Sequence, residues 1–204
     1  METIIYTVGH SNHQPERFLE LVVRHGINVL GDVRSRPYSR MNPQFNRENL
    51  KRMLEASGIQ YVFLGGELGA RSDDPGCYSG GKVQYERLAR TDLFRQGLDR
   101  AREIAKTRRL ALMCAEKEPL ECHRTILVAR ELSKRSVTVR HILEDGTIED
   151  HEDTLARLRE KLNLPEYDLF RSPEEVNEDA YRLQGERIAY EWEEDAGPAG
   201  NAPL

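Results

Sequence analysis

Short apolar runs alternate along the chain with stretches whose apolar residues recur at helical spacing. Thr3 to Val8, Ile27 to Val33, Ile59 to Leu64, the run from Leu110 to Cys114, and Val137 to Leu143 have the β-branched and aliphatic content of buried strands. Pro15 to Val23, about Arg47 to Ser57, Leu88 to Lys106 and Thr125 to Leu132 predict helices, with Gly58 stopping the second. This alternation predicts an α/β fold, a single three-layer domain whose mostly parallel sheet of about five strands is covered by helices on both faces. Right-handed crossovers then bring the strand-to-helix turns to one edge of the sheet.

Beyond a tight turn at Asp145-Gly146 the character changes. His151 to Leu162 predicts a charged amphipathic helix. Pro173 to Glu194 predicts a peripheral one that docks on the core or on a partner. Gly197 to Pro203 is too rich in Pro, Gly and small residues to pack, so a frayed end is expected. The α/β domain is therefore expected over 1–164, and a charged helical appendage, dispensable for folding, over 165–204.

A chain of 204 residues can bury one sizeable core, and no internal repeat divides it. No apolar run is long enough to span a bilayer, and no basic-then-apolar leader opens the chain, so a cytoplasmic protein without a membrane partner is expected. Three cysteines cannot all pair and form no secreted framework, which predicts reduced thiols. A net charge of −5 gives no global pull on nucleic acid, so such binding would need a local basic patch.

Candidate chemistry collects at the predicted strand ends, where open α/β sheets bind ligands. The first strand delivers His10 and Ser11; the second delivers Asp32, Arg34, Ser35 and Arg36; the third runs into a glycine-rich loop from Gly65-Gly66 to Gly81. The run from Leu110 delivers Cys114 and Glu116, and Cys122, His123 and Arg124 open the helix after it. Arg34, Arg36 and Arg124, with Ser11 and Ser35, compose a cradle for a phosphate or carboxylate, the alternative for each arginine being a surface ion pair. Cys122 at a helix start, beside His123 and Arg124, is placed for a lowered thiol pKa and nucleophilic attack with His10 or His123 as base. Its alternative is a structural thiol on the stripe of Ile126 and Ala129, and Cys114 is expected to face the core.

Asp32 and Glu116 are placed either for general acid–base work or to hold Arg34 and Arg124. Cys114, Cys122, His123 and His10 offer soft-metal donors, but the Cys-x7-Cys-His spacing matches no finger or ribbon, so the sequence requires no metal and no cofactor. Neither cysteine opens a Cys-x5-Arg phosphate loop, because positions 120 and 128 are Leu120 and Val128. The glycine-rich loop lacks the ATP-type phosphate-loop pattern and predicts a lid or a binding loop, with Arg71 and Tyr78 able to close over a ligand.

The turn Gly9-His10-Ser11, the segment Asp32-Val33-Arg34-Ser35-x-Pro37-x-Ser39, Tyr61-x2-Leu64-Gly65-Gly66-x-Leu68-Gly69, Leu112-x-Cys114-x-Glu116 and Cys122-His123-Arg124 together resemble the DUF488 family of uncharacterised bacterial and archaeal proteins. The likeness runs from about Thr3 to Ile142. It implies a compact α/β domain whose motif residues meet at one edge. Names carried by some members, from DNA repair and iron–sulfur assembly, imply no single reaction. Thiols, carboxylates and imidazole at one edge favour a small enzyme acting on a nucleotide, nucleoside or modified nucleic-acid base. The alternatives are a non-catalytic module binding nucleic acid or an anionic metabolite, and a Cys/His metal or redox protein.

Overall fold

The computed structural model describes residues 2–165 and 169–192. In chain order the elements are β1 (Thr3–Gly9), α1 (Pro15–Arg24), β2 (Val29–Asp32), α2 (Arg47–Ala56), β3 (Gln60–Phe63), α3 (Gly65–Leu68), β4 (Tyr78–Ser79), β5 (Lys82–Val83), α4 (Tyr85–Leu88), α5 (Asp92–Thr107) and β6 (Leu110–Cys114). A π-helical segment, Arg124–Ala129, then runs into α6 (Arg130–Ser133). β7 (Val137–Ile142), β8 (Ile148–Asp150), α7 (His151–Lys161) and α8 (Pro173–Ile188) follow.

The main sheet has six strands in the order β3-β2-β6-β1-β7-β8. The first five are parallel, as the alternation of strands and helices predicts, and β8 pairs antiparallel with β7 as an edge strand that the apolar pattern did not disclose. At three residues with a half-exposed burial pattern, β8 is too short and too polar to stand out.

Side chains alternate across the sheet, and two apolar layers result. On one face Tyr6, Val8, Leu30, Ala111 and Met113 pack against Phe18, Leu21 and Val22 of α1 and Leu50 and Leu54 of α2. On the other, Ile5, Val29, Leu110, Leu112 and Cys114 meet Phe94, Leu98 and Ala101 of α5, the π-helical segment, α7 and α8. Cys114 thus follows Leu110 and Leu112 toward the second layer, and this sets the direction of its thiol.

The helix predicted from Leu88 to Lys106 starts later, as α5: Thr91 caps it by accepting from the Phe94 amide, and the chain turns between α4 and α5. The glycine-rich stretch is folded rather than an open lid. It contains α3, the β4-β5 hairpin and an Asp74-capped turn at Pro75–Cys77.

The appendage docks on the core rather than projecting to a partner. Ser172 and Glu175 form a capping box at its start, and Val176, Ala180, Tyr181 and Gln184 are buried. The Gln184 side-chain amide donates to the Leu120 carbonyl at 2.8 Å. The Tyr181 hydroxyl ends a buried hydrogen-bonded chain through His151 and His141 to Thr7, at 2.8, 2.9 and 2.7 Å. Among the described residues no helix is long and apolar enough to cross a membrane. The expected frayed end, 197–203, lies outside the described residues.

Candidate functional site

The parallel register levels the strand ends: Gly9 lies beside Cys114, and Asp32 beside Met113 and Phe63. The residues carried past those ends form two groups with different jobs.

The first is a closed polar frame. Asp32, fully buried, accepts from Arg34 Nε at 2.9 Å, from Arg34 Nη2 at 2.7 Å, and from the Tyr61 hydroxyl at 2.9 Å. Arg34 also donates to the Phe45 carbonyl, and its Nη1 lies 3.1 Å from His10 Nε2. Since a guanidinium only donates, His10 Nε2 is the acceptor and Nδ1–H donates to the Ser11 carbonyl at 2.8 Å. Burial and the neighbouring Arg34 lower the His10 pKa to about 4. The imidazole is therefore neutral with both nitrogens engaged, and neither His10 nor Asp32 is free to move a proton to a ligand. Of the two readings of Asp32, the structural one is realised.

The second group is open to a cavity. Cys114 Sγ donates to Glu116 Oε2 at 3.2 Å and Cys122 Sγ lies 3.0 Å from the same oxygen. His123 Nδ1 faces both sulfurs, 3.6 Å from Cys114 and 3.9 Å from Cys122. Its Nε2 lies 3.2 Å from the Val33 carbonyl, to which it donates, and this bond fixes the ring. The Arg124 amide donates to Cys122 Sγ at 3.5 Å. Burial and the Cys122 charge beside it raise the Glu116 pKa. Burial would push the Cys122 thiol up, but the hydrogen bond from Cys114 and the adjacent Arg124 and His123 hold it well below the usual range. The contact with Cys122 and burial raise the Cys114 thiol. His123 is disfavoured as a cation by burial, yet its hydrogen bond to Cys122 raises its pKa above the usual imidazole value.

The cavity has a volume of about 280 Å³. It is lined by Cys114, Glu116 and His123, by Arg34, Ser35, Arg36, Arg71 and Glu121, and by Tyr85, Ile188 and Tyr190. Cys114, 4% exposed, lines it, whereas Cys122, 1% exposed, lies behind. Cys114 faces the second layer, as expected of a core-facing thiol, and also reaches the cavity, whereas Cys122 begins a buried helical segment. A thiolate nucleophile at Cys122 would have no path to a ligand.

Several expected anion ligands are placed elsewhere. Arg124 is fully buried, with its guanidinium on the Glu116 and Lys117 carbonyls, the latter at 3.0 Å; it clamps the loop that carries Glu116 rather than facing a ligand. Ser11, at φ 48°, donates to Asn12 and does not line the cavity. Gly65 is a packing residue: a Cβ there would sit 2.0 Å from the Arg34 carbonyl, so glycine lets α3 meet the Arg34-Ser35 turn. Gly66 is exposed and outside the cavity. Tyr78 is occupied by Ser72 and packs edge-on to Trp192.

Ser35 and Arg36 stand where expected, and Ser35 Oγ accepts from the Arg71 amide at 3.0 Å. Arg71, expected on the glycine-rich loop to close over a ligand, is the second cation of the cavity lining, its guanidinium 4.1 Å from the Tyr190 ring centre. Neither Arg36 nor Arg71 has a carboxylate partner among the described residues. Tyr85, Ile188 and Tyr190 were not assigned to the site. For Ile188 and Tyr190 the scattered apolar residues of the last predicted helix were the sequence signal, and nothing local ties that helix to this edge.

No curated protein and no solved structure matches the chain. A family model described as "Domain of unknown function DUF488" matches residues 14–130, which include β2, β3, β6 and both halves of the Cys114–His123 cluster. With more than half of its length inside that match, the chain belongs to the DUF488 family.

Proposed function

We propose that the protein is a small enzyme acting on a nucleotide or nucleoside, with the anionic part of the ligand at Arg36 and Arg71 and its base toward Cys114, Glu116 and His123. One observation carries this reading: two guanidinium groups without a carboxylate partner among the described residues share a small cavity with the tyrosines and the cluster of titratable groups. A guanidinium fork suits phosphate oxygens, and Tyr85 and Tyr190 offer flat faces for a base. Glu116, whose pKa is raised by burial and by the neighbouring Cys122, is the proton carrier for acid–base work on the bound ligand. The cavity's size, below that of drug-sized ligand sites, suits a mononucleotide or smaller rather than a polymer.

Thermal-shift titration with nucleosides, nucleoside monophosphates and inorganic phosphate tests the reading. A ligand at a hundred times its Kd stabilises by about 2.7 kcal/mol. Arg36→Ala and Arg71→Ala should each remove that shift while leaving the ligand-free melting temperature unchanged, because both side chains are exposed. Glu116→Gln should retain binding and lose turnover of the bound ligand. Absence of a shift with every phosphorylated ligand would sink the reading. Binding without turnover in the wild-type chain would leave only an anion-binding module.

A further inference from the structure

The sulfurs of Cys114 and Cys122 and Nδ1 of His123 all lie within 4.8 Å of one another. We propose that they bind a zinc-class divalent cation in a tetrahedral site, with Glu116 at the fourth corner. This goes beyond the anionic-ligand reading and does not depend on it.

Metal bonds of about 2.0–2.3 Å at tetrahedral angles place neighbouring donor atoms roughly 3.5 Å apart. The imidazole nitrogen stands 3.6 and 3.9 Å from the two sulfurs, and Glu116 Oε2 3.2 and 3.0 Å from them. The three donors of the cluster therefore already stand near the needed spacing, and Glu116 touches both sulfurs. Small side-chain rotations, with the carboxylate backing away slightly, complete the coordination.

Orientation supports the same reading. His123 donates Nε2–H to the Val33 carbonyl, which leaves the Nδ1 lone pair for the metal, the outer contact that metal-bound histidines ordinarily make. The Arg124 amide donates to Cys122 Sγ and suits a thiolate there. The donors are also held on rigid supports. Cys114 ends a central strand, Cys122 and His123 open the buried helical segment, and the Pro119–Glu121 turn with the Arg124 clamp joins them.

Two sulfurs and one imidazole are soft to intermediate donors, which favour zinc over magnesium or calcium. Both cysteines bind as thiolates, and their protons leave to solvent. Two thiolates cancel the cation's charge, and the Glu116 carboxylate is offset by buried Arg124 beside it. Cys122 lies behind the cavity, whereas Cys114, His123 and Glu116 line it. An incoming ligand or water can displace Glu116 there, as at catalytic rather than purely structural zinc sites.

Cobalt(II) titration of the reduced, metal-stripped full chain tests the site. One equivalent of cobalt should produce a thiolate-to-cobalt charge-transfer band with tetrahedral d–d bands in the visible, and zinc should erase both. Cys114→Ser and Cys122→Ser should each abolish the charge-transfer band, Cys77→Ser should leave it intact, and so should Arg36→Ala and Arg71→Ala. Should the cysteine variants fail to fold, zinc absorption spectroscopy on the wild-type chain decides: a shell with two sulfurs supports the site, and a shell of oxygen and nitrogen alone overturns it. Cobalt bound without a charge-transfer band also overturns it, as does a Cys114–Cys122 disulfide that persists in excess thiol and excludes metal.

Discussion

Arg124→Ala removes from the interior a guanidinium that donates to two carbonyls of the loop carrying Glu116. Hydrogen bonds from a charged donor contribute about 1.5–3 kcal/mol each, so their loss costs about 3–6 kcal/mol. The side chain is fully buried, and a residual void of ~50 Å³ at about 24 cal/mol per Å³ adds ~1 kcal/mol. Releasing a guanidinium from a buried site regains several kcal/mol of desolvation. The net expectation is a loss of ~3 kcal/mol. With a urea m-value of ~2 kcal/mol/M, the unfolding midpoint then falls by about 1.5 M. Equilibrium urea denaturation followed by far-ultraviolet circular dichroism measures it, and alkylation of Cys114 should quicken as the loop loosens. A midpoint within ~0.3 M of the wild type at unchanged m, together with lost binding of phosphorylated ligands, would refute the argument. Arg124 would then be the anion ligand that its position beside Cys122 and His123 first suggests.

Acid should destabilise the fold through its buried histidines. Burial lowers the His151 pKa from 6.5 to about 4, so the folded ring stays neutral while the unfolded chain takes up a proton below its ordinary pKa. Stability is lost as pH falls from 6.5 toward 4, by about 3 kcal/mol for this residue at 1.36 kcal/mol per unit. Glu116 and His123, both raised, act in the opposite direction, so the measurement is a difference: the fall in melting temperature between pH 7.5 and pH 5 should shrink in His151→Gln, and equal falls would exclude the assignment. Ending the chain after Leu164 should expose the surface that Val176, Ala180 and Tyr181 cover and remove Ile188 and Tyr190 from the cavity. Aggregation or dye-binding hydrophobic surface is expected, and a soluble fragment with the parent melting temperature would restore the picture of a dispensable appendage.

The apolar runs at Thr3, Ile27, Ile59, Leu110 and Val137 determined by themselves the parallel strands, and with them the edge where the site lies. Their content leaves no other way to bury them, and right-handed connections do the rest. The meeting of Cys114, Glu116, Cys122 and His123 was equally local, since one strand-to-helix turn joins all four. Direction and partnership were not local. Which cysteine reaches the cavity follows from the pleat of β6 against the second layer. Arg34 is consumed by Asp32, His10 and Phe45 and Arg124 by its own loop, while Arg36 and Arg71 meet no carboxylate among the described residues, because a cation's partner is chosen by whichever acceptor folding brings within reach. Tyr190 enters the site only because α8 docks through contacts such as Gln184 to Leu120, 64 residues away in sequence. The sequence placed the chemistry on one edge of the sheet; tertiary packing decided which of those groups faces a ligand, because orientation and pairing are set by neighbours distant in the chain.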